Sequence, residues 1–301
     1  MIQASIDPPT GRALIWRENL RTLRVAAWLG WQVEGNWADP LVFFIFTILR
    51  PMATALMIVV MYNVVAGGVQ GDFFSYLFIS NAFFVLVVQT LAGMVFVIFD
   101  DRENYKMLKY IYTSPARKFA YLLGRAGAKV GVGGLTTVIL LATGFGFLGL
   151  PLHLNQVAWG WLALYLVLGL VMLAGLGLIL AGVALVVARH GESMGEVVAG
   201  MLLLFSGAYF PPDILPAWLR TISLVMPITY WLEGMRRALV GGILQGANGP
   251  ISPLLAQFDN GQLAAILAVS ALVSAVGSYR FFRWVEHQAQ ERGMIDRTSE
   301  H

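Results

Sequence analysis

A chain of 301 residues that is 58% hydrophobic and only 12% charged is not an ordinary soluble protein, in which roughly a quarter of residues carry charge. Its net charge of +3 is too small to point to nucleic acid, and the absence of cysteine removes disulfides, thiolate nucleophiles and sulfur metal sites. His153, His190, His287 and His301 are scattered and predict no metal cluster, which leaves an integral membrane protein.

The first 40 residues lack the uninterrupted apolar core of a signal peptide and carry Arg12, Arg17, Arg21 and Arg24, so the N-terminus is expected inside. Trp16, Leu20, Leu23, Ala27 and Trp31 recur at helical spacing, with Arg17, Arg21 and Arg24 on another face. Segment 1–40 therefore predicts an amphipathic helix on the inner membrane surface, with Trp28 and Trp37 as further interfacial anchors. Asp39-Pro40 would turn the chain into the bilayer.

A hydrocarbon core of roughly 30 Å takes about 20 apolar residues per helix. Six blocks meet or approach this: 41–66, 73–99, 130–150, 159–188, 197–210 and 263–279. The expected fold is an all-α membrane protein. Six transmembrane helices occupy 41–285, an interfacial amphipathic helix precedes them, short re-entrant helices come before the last span, and 286–301 forms a cytoplasmic tail. With both ends inside, 16 of the 20 Lys and Arg fall on inner segments, as cytoplasmic loops require. Arg50, inside the first block, could snorkel to the inner surface of a tilted helix or meet substrate.

Asn81, Val85 and Gln89 share one face of the second block, so its two amides need either interhelical hydrogen bonds or a wet pathway that they line. Between the second and third blocks, Tyr105, Leu108, Ile111 and Tyr112 form an apolar stripe within a charged segment over about 101–114, ended by Pro115. A short helix there would have an apolar face to rest on headgroups or to dock into a partner's groove. Ala120, Gly124 and Ala128, with Gly127 and Gly131, and likewise Gly177 and Ala181, are spaced for close helix packing.

The fifth block has 14 residues, about 21 Å as a helix, and is short of the hydrocarbon thickness. It ends in Ser206-Gly207-Ala208-Tyr209-Phe210-Pro211-Pro212, where glycine permits a turn and the prolines remove two backbone donors. Two short apolar-faced helices over 214–226 and 228–240 follow, separated by Pro227. They suggest a re-entrant pair, an outer gate over about 211–240, because irregular backbone at that depth needs protein or a water-filled cavity around it. Glu233 can pair with Arg236 or Arg237 at spacings of three and four.

The stretch Phe205 to Leu219, followed by Met226-Pro227-Ile228-Thr229-Tyr230 and Glu233-Gly234-Met235-Arg236-Arg237, resembles the C-terminal signature of the ABC-2 type permease family, the membrane subunits of ATP-driven exporters. Arg102-Glu103, Leu108, Ser114-Pro115 and Gly124-Arg125 resemble that family's coupling helix, although Asn104-Tyr105 stands where members often have Gly-Thr or Gly-Ser. The resemblance implies a permease subunit that is not an enzyme and that moves a hydrophobic, lipidic or glycan-type substrate out of the cytoplasm or inner leaflet of a prokaryotic plasma membrane. It implies a second permease subunit, identical or not, and a separate ATPase beneath each. No Gly-x-x-x-x-Gly-Lys-[Ser/Thr] loop occurs here, so ATP and its Mg would be held by the partner ATPase. Coupling would fall on Glu103, Tyr105, Leu108, Ile111, Tyr112 and Pro115, and the outer gate on Ser206, Gly207, Phe210, Pro211, Glu233 and Arg236. The alternative is a secondary transporter or channel working without an ATPase. It would ordinarily show ionisable residues or an internal repeat in the central spans, and neither is evident.

Overall fold

The computed structural model describes residues 12–35, 41, 45–66, 71–114, 117–150, 155–186, 191–246 and 249–291. In chain order the helices are α1 (Arg12–Gly35), α2 (Arg50–Ala66), α3 (Asp72–Phe99), α4 (Leu108–Thr113), α5 (Lys118–Phe147), α6 (Trp159–Val186), α7 (Gly191–Phe205), α8 (Ala217–Val225), α9 (Pro227–Val240), α10 (Pro253–Ala256) and α11 (Asn260–Glu291). A two-residue antiparallel pair, β1 (Gln245–Gly246) with β2 (Gly249–Pro250), interrupts the all-helical pattern.

Four of the described helical stretches are long and apolar enough to cross a membrane: Asp72–Asn104, Lys118–Phe147, Trp159–Val186 and Asn260–Gln288. Two shorter apolar stretches, Arg50–Met61 and Met194–Phe205, coincide with the first and fifth blocks. The chain is a multi-pass membrane protein. α3 is its hub, contacted by α2, α5, α6, α7 and α9, while α1 runs along α5 and α11 along α6.

Three boundaries differ from the sequence expectation. The first block is not one continuous α-helix, because a π-helical turn, Ile45–Leu49, precedes α2. Pro51 has no N–H to return to residue 47, and a widened turn accommodates that loss. The third span begins at Lys118 rather than 130, since Arg125 and Lys129 find carboxylate partners and stay within the helix. The last span continues to Glu291, so the division drawn at 285 falls inside an unbroken helix. Of the histidines, only His287 lies among the described residues; Asp39-Pro40 and Trp37 also lie outside them.

Small residues set the closest helix contacts, as expected where lipid offers side chains as apolar a home as a protein core does. A Cβ at Gly124 would stand 2.5 Å from the Leu23 carbonyl, and one at Gly30 would meet Ala128. Ala26 is buried in the same seam, so α1 docks on α5 through Ala26 and Gly30 and leaves Leu20, Leu23, Trp28 and Trp31 exposed. Gly177 faces the Thr90 carbonyl and Ala181 is fully buried, which bears out the spacing of that pair. Gly127, by contrast, faces open space.

Candidate functional site

At the end of the bundle where α3 begins, three elements converge on one backbone turn. α7 stops at Phe205, and Gly207 adopts φ +72°, a left-handed conformation that costs glycine little. Its carbonyl accepts hydrogen bonds from the Tyr76 hydroxyl at 2.8 Å and from Arg236 Nη1 at 3.2 Å. The same Nη1 donates to Ser80 Oγ at 2.6 Å, and the guanidinium carbon lies 3.9 Å from the centre of the Tyr76 ring. Two residues on, the Tyr209 hydroxyl donates to Asn81 Oδ1 at 2.8 Å. The turn after α7 is thus pinned to the first three turns of α3.

Glu233 is the electrostatic centre of this pin. Its carboxylate receives Arg236 Nη2 and Arg237 Nε, each at 2.8 Å, and all three side chains are buried. The expected i to i+3 and i to i+4 pairs both form, but within the protein rather than on the outer surface. Arg237 then reaches the carbonyls of Phe258 and Leu255 at 2.6 and 2.7 Å, tying α9 to the loop before α11. Asp213 accepts from Ser252 Oγ and from the Leu254 N–H, which fixes the Pro211-Pro212 turn to the start of α10. Across Pro227, Thr229 Oγ1 donates to Ser223 O and the Tyr230 hydroxyl to Leu224 O, both at 2.8 Å, so the α8–α9 corner is stapled. Trp231, fully buried, donates to Tyr165 O at 2.9 Å, and its indole occupies the space left by Gly169.

At the opposite end, α3 continues through a π-helical turn, Asp100–Asn104. Tyr105 N–H returns to Asp100 O and Met107 N–H to Asp101 O, with Lys106 at φ +51°, an uncommon conformation for a residue bearing a Cβ. α4 follows at once. Buried Asp101 accepts from the Tyr121 hydroxyl at 2.8 Å and from Arg125 Nη2 at 3.3 Å, and Arg102 donates to Leu185 O on α6. Lys129 pairs with Glu34 of α1. This elbow therefore joins α3, α5, α6 and α1. Partial burial and the Asp100 carboxylate raise the Tyr105 hydroxyl above its ordinary pKa.

The apolar stripe of this segment is arranged differently from the expectation. Leu108 is only 3% exposed and packs with Val97, Ile98 and Tyr121, while Ile111 is half-buried against the same cluster. Their face is covered by the chain's own core, because α4 begins only at Leu108 and folds back under α3. Tyr105 lies before the helix, and the outward face carries Tyr105, Lys106 and Tyr110, the last 73% exposed. Glu103 is half-buried; the side chain of Tyr112 and all of Pro115 lie outside the described residues. Among the gate residues, Ser206, Gly207 and Pro211 are buried and Phe210 is half exposed. Asn81 Oδ1 accepts from Tyr209 on the turn after α7 rather than from a second helix, its Nδ2 is buried with no partner among the described residues, and Gln89 is half-buried where α3 meets Gly133 of α5. Arg50 is exposed at the start of α2.

Sequence reasoning missed Tyr76, Ser80, Asp101, Tyr121, Trp231 and Asp213. Asp101, a carboxylate bordering a long apolar run, was the one that carried a signal, since its burial demanded a cationic partner.

An ABC-2 type transporter family model matches residues 12–240, a span that contains the elbow and the Tyr76, Glu233, Arg236 and Arg237 side chains of the pin. The chain is also similar to the probable doxorubicin resistance ABC transporter permease protein DrrC of two Mycobacterium tuberculosis strains, CDC 1551 / Oshkosh and ATCC 25618 / H37Rv. In each case identity is 22% over 243 residues, covering 78% of this chain and 82% of the relative. With both halves of that match resting on elements described above, the chain belongs to the ABC-2 type transporter family and is an ABC transporter membrane subunit.

Proposed function

We propose that this subunit exports a hydrophobic, lipidic or glycan-type substrate from the cytoplasm or inner leaflet of a prokaryotic plasma membrane, with both termini cytoplasmic. In this reading it pairs with a second permease subunit, spans six times, and dips α8 and α9 into the outer leaflet as a gate. The family implies a separate ATPase partner. The resistance named for the mycobacterial relatives supports a hydrophobic cargo.

One observation carries the mechanism. The stretch Asp72–Asn104 is a single helical run of 33 residues, about 50 Å at a rise of 1.5 Å per residue. Its first turns hold the gate turn through Tyr76, Ser80 and Asn81, and its last turn is the elbow beneath which α4 sits. A push on the exposed face of Tyr105, Lys106 and Tyr110 by a closing ATPase reaches the gate through one rigid element, biasing a two-state arrangement. A motor-free transporter lacks comparable support, since buried Asp101 and Glu233 are each committed to cations.

Tyr110→Asp tests the coupling without disturbing the core, because Tyr110 is exposed. Co-purification of the ATPase and substrate-stimulated ATP hydrolysis should both fall at least tenfold while the chain keeps its thermal stability. Wild-type co-purification would overturn the assignment of this face, and transport by the purified chain with no ATPase or nucleotide would overturn the export scheme itself.

A further inference from the structure

At the Lys- and Arg-rich end of the bundle, α1, the start of α5 and the end of α11 enclose a groove of about 700 Å³ that neither the elbow nor the gate uses. We propose that this groove binds one anionic phospholipid, with its phosphate on the basic rim and an acyl chain along the apolar floor.

The floor is Leu20 and Leu23 of α1 with Phe119 and Leu123 of α5. Its aromatic wall is ordered: Phe119 meets the Tyr279 ring edge-on at 5.2 Å and packs against Phe282 at 6.1 Å. The rim carries Arg117, Lys118 and Arg283 against one carboxylate, Glu286. That carboxylate lies 3.7 Å from Lys118 Nζ, whereas Arg117 and Arg283 make no ion pair among the described residues. Arg283 lies over the Tyr279 ring at 5.8 Å, with Nη1 3.5 Å from the phenolic oxygen, so its guanidinium is held at the rim. Asn19 also lines the groove, and its Oδ1 is buried without a hydrogen-bond partner. That acceptor suits a headgroup hydroxyl.

Position selects a lipid over other anions. α5 starts at Lys118, and the apolar run of α11 gives way to Arg280, Arg283 and Glu286, so the rim lies at the boundary between hydrocarbon and headgroups. Basic pockets between helices at that depth hold anionic headgroups. A free phosphate would use the rim and leave the apolar floor exposed.

The test uses the purified chain in detergent with its ATPase partner, read by native mass spectrometry and thermal shift. Phosphatidylglycerol should persist as a one-to-one adduct through delipidation and raise Tm. Phosphatidylcholine with the same acyl chains, or inorganic phosphate alone, should do neither. Pairing Arg117→Gln with Arg283→Gln should weaken the adduct about thirty-fold, from the usual attraction per basic residue at a lipid surface. Glu286→Gln should strengthen it, an outcome misfolding cannot imitate. Equal retention of the two lipids, or an adduct indifferent to both arginines, would overturn the proposal. Phosphatidylglycerol binding only after deletion of 292–301 would do the same, making the chain's own tail the occupant, and so would displacement of the lipid by the ATPase.

Discussion

The pin and the elbow are both buried ionic sites at opposite ends of α3, yet they are built to different standards. At the pin, one carboxylate lies between two guanidiniums, and Arg237 satisfies all three of its nitrogens on Glu233 and two carbonyls. At the elbow, Arg125 reaches Asp101 through one nitrogen at 3.3 Å, and its Nε and Nη1 find no acceptor among the described residues. The pin is not complete either, since Arg236 Nε is buried with no acceptor among the described residues, but more of its donors are satisfied, and a better-satisfied network in low dielectric has more to lose by rearranging. On the proposed reading, the pin is the end that resists rearrangement and the elbow the end where a push from the ATPase is taken up.

The largest test of this contrast is Glu233→Gln, which leaves two buried guanidiniums without a counter-charge. We expect a loss of about 3–5 kcal/mol in the unfolding free energy of the purified chain, the usual range for breaking a buried pair from one side. Asp101→Asn leaves one buried guanidinium without its partner carboxylate, where Glu233→Gln leaves two, and should fall at the low end of that range, about 3 kcal/mol. Equal losses at the two ends would erase the distinction. Tyr121→Phe removes one neutral donor from Asp101 and should cost about 1 kcal/mol. Its sharper readout is coupling: in an assembled transporter it should alter the ratio of transport to ATP hydrolysis more than Tyr209→Phe, which removes a similar bond at the gate turn. Trp218→Ser, on an exposed face of α8, should leave stability within about 0.5 kcal/mol.

The same division separates what was readable along the chain from what was not. The gate turn was visible in Ser206-Gly207 and Pro211-Pro212, and the pairing of Glu233 with Arg236 and Arg237 followed from helical spacing. Asn81 was recognised as a polar residue in need of a partner, but not that its oxygen would accept from Tyr209 on a turn. Tyr76 and Ser80 look like ordinary members of an apolar span, and only Gly207, 131 residues from Tyr76, and Arg236, 156 residues from Ser80, give them a role. Leu108 and Ile111 showed the right periodicity while their periodicity could not say which side was covered. α4 folds back under α3, and that placement reversed the expected exposure.

Local rules therefore decided the helices, their breaks and the membrane class, because hydrocarbon thickness, missing proline donors and glycine's left-handed freedom act within a few residues. The partners of the buried charges were settled only in three dimensions. A guanidinium in a low-dielectric interior must find its acceptor wherever the chain brings one, and Arg125 meets Asp101 from 24 residues away.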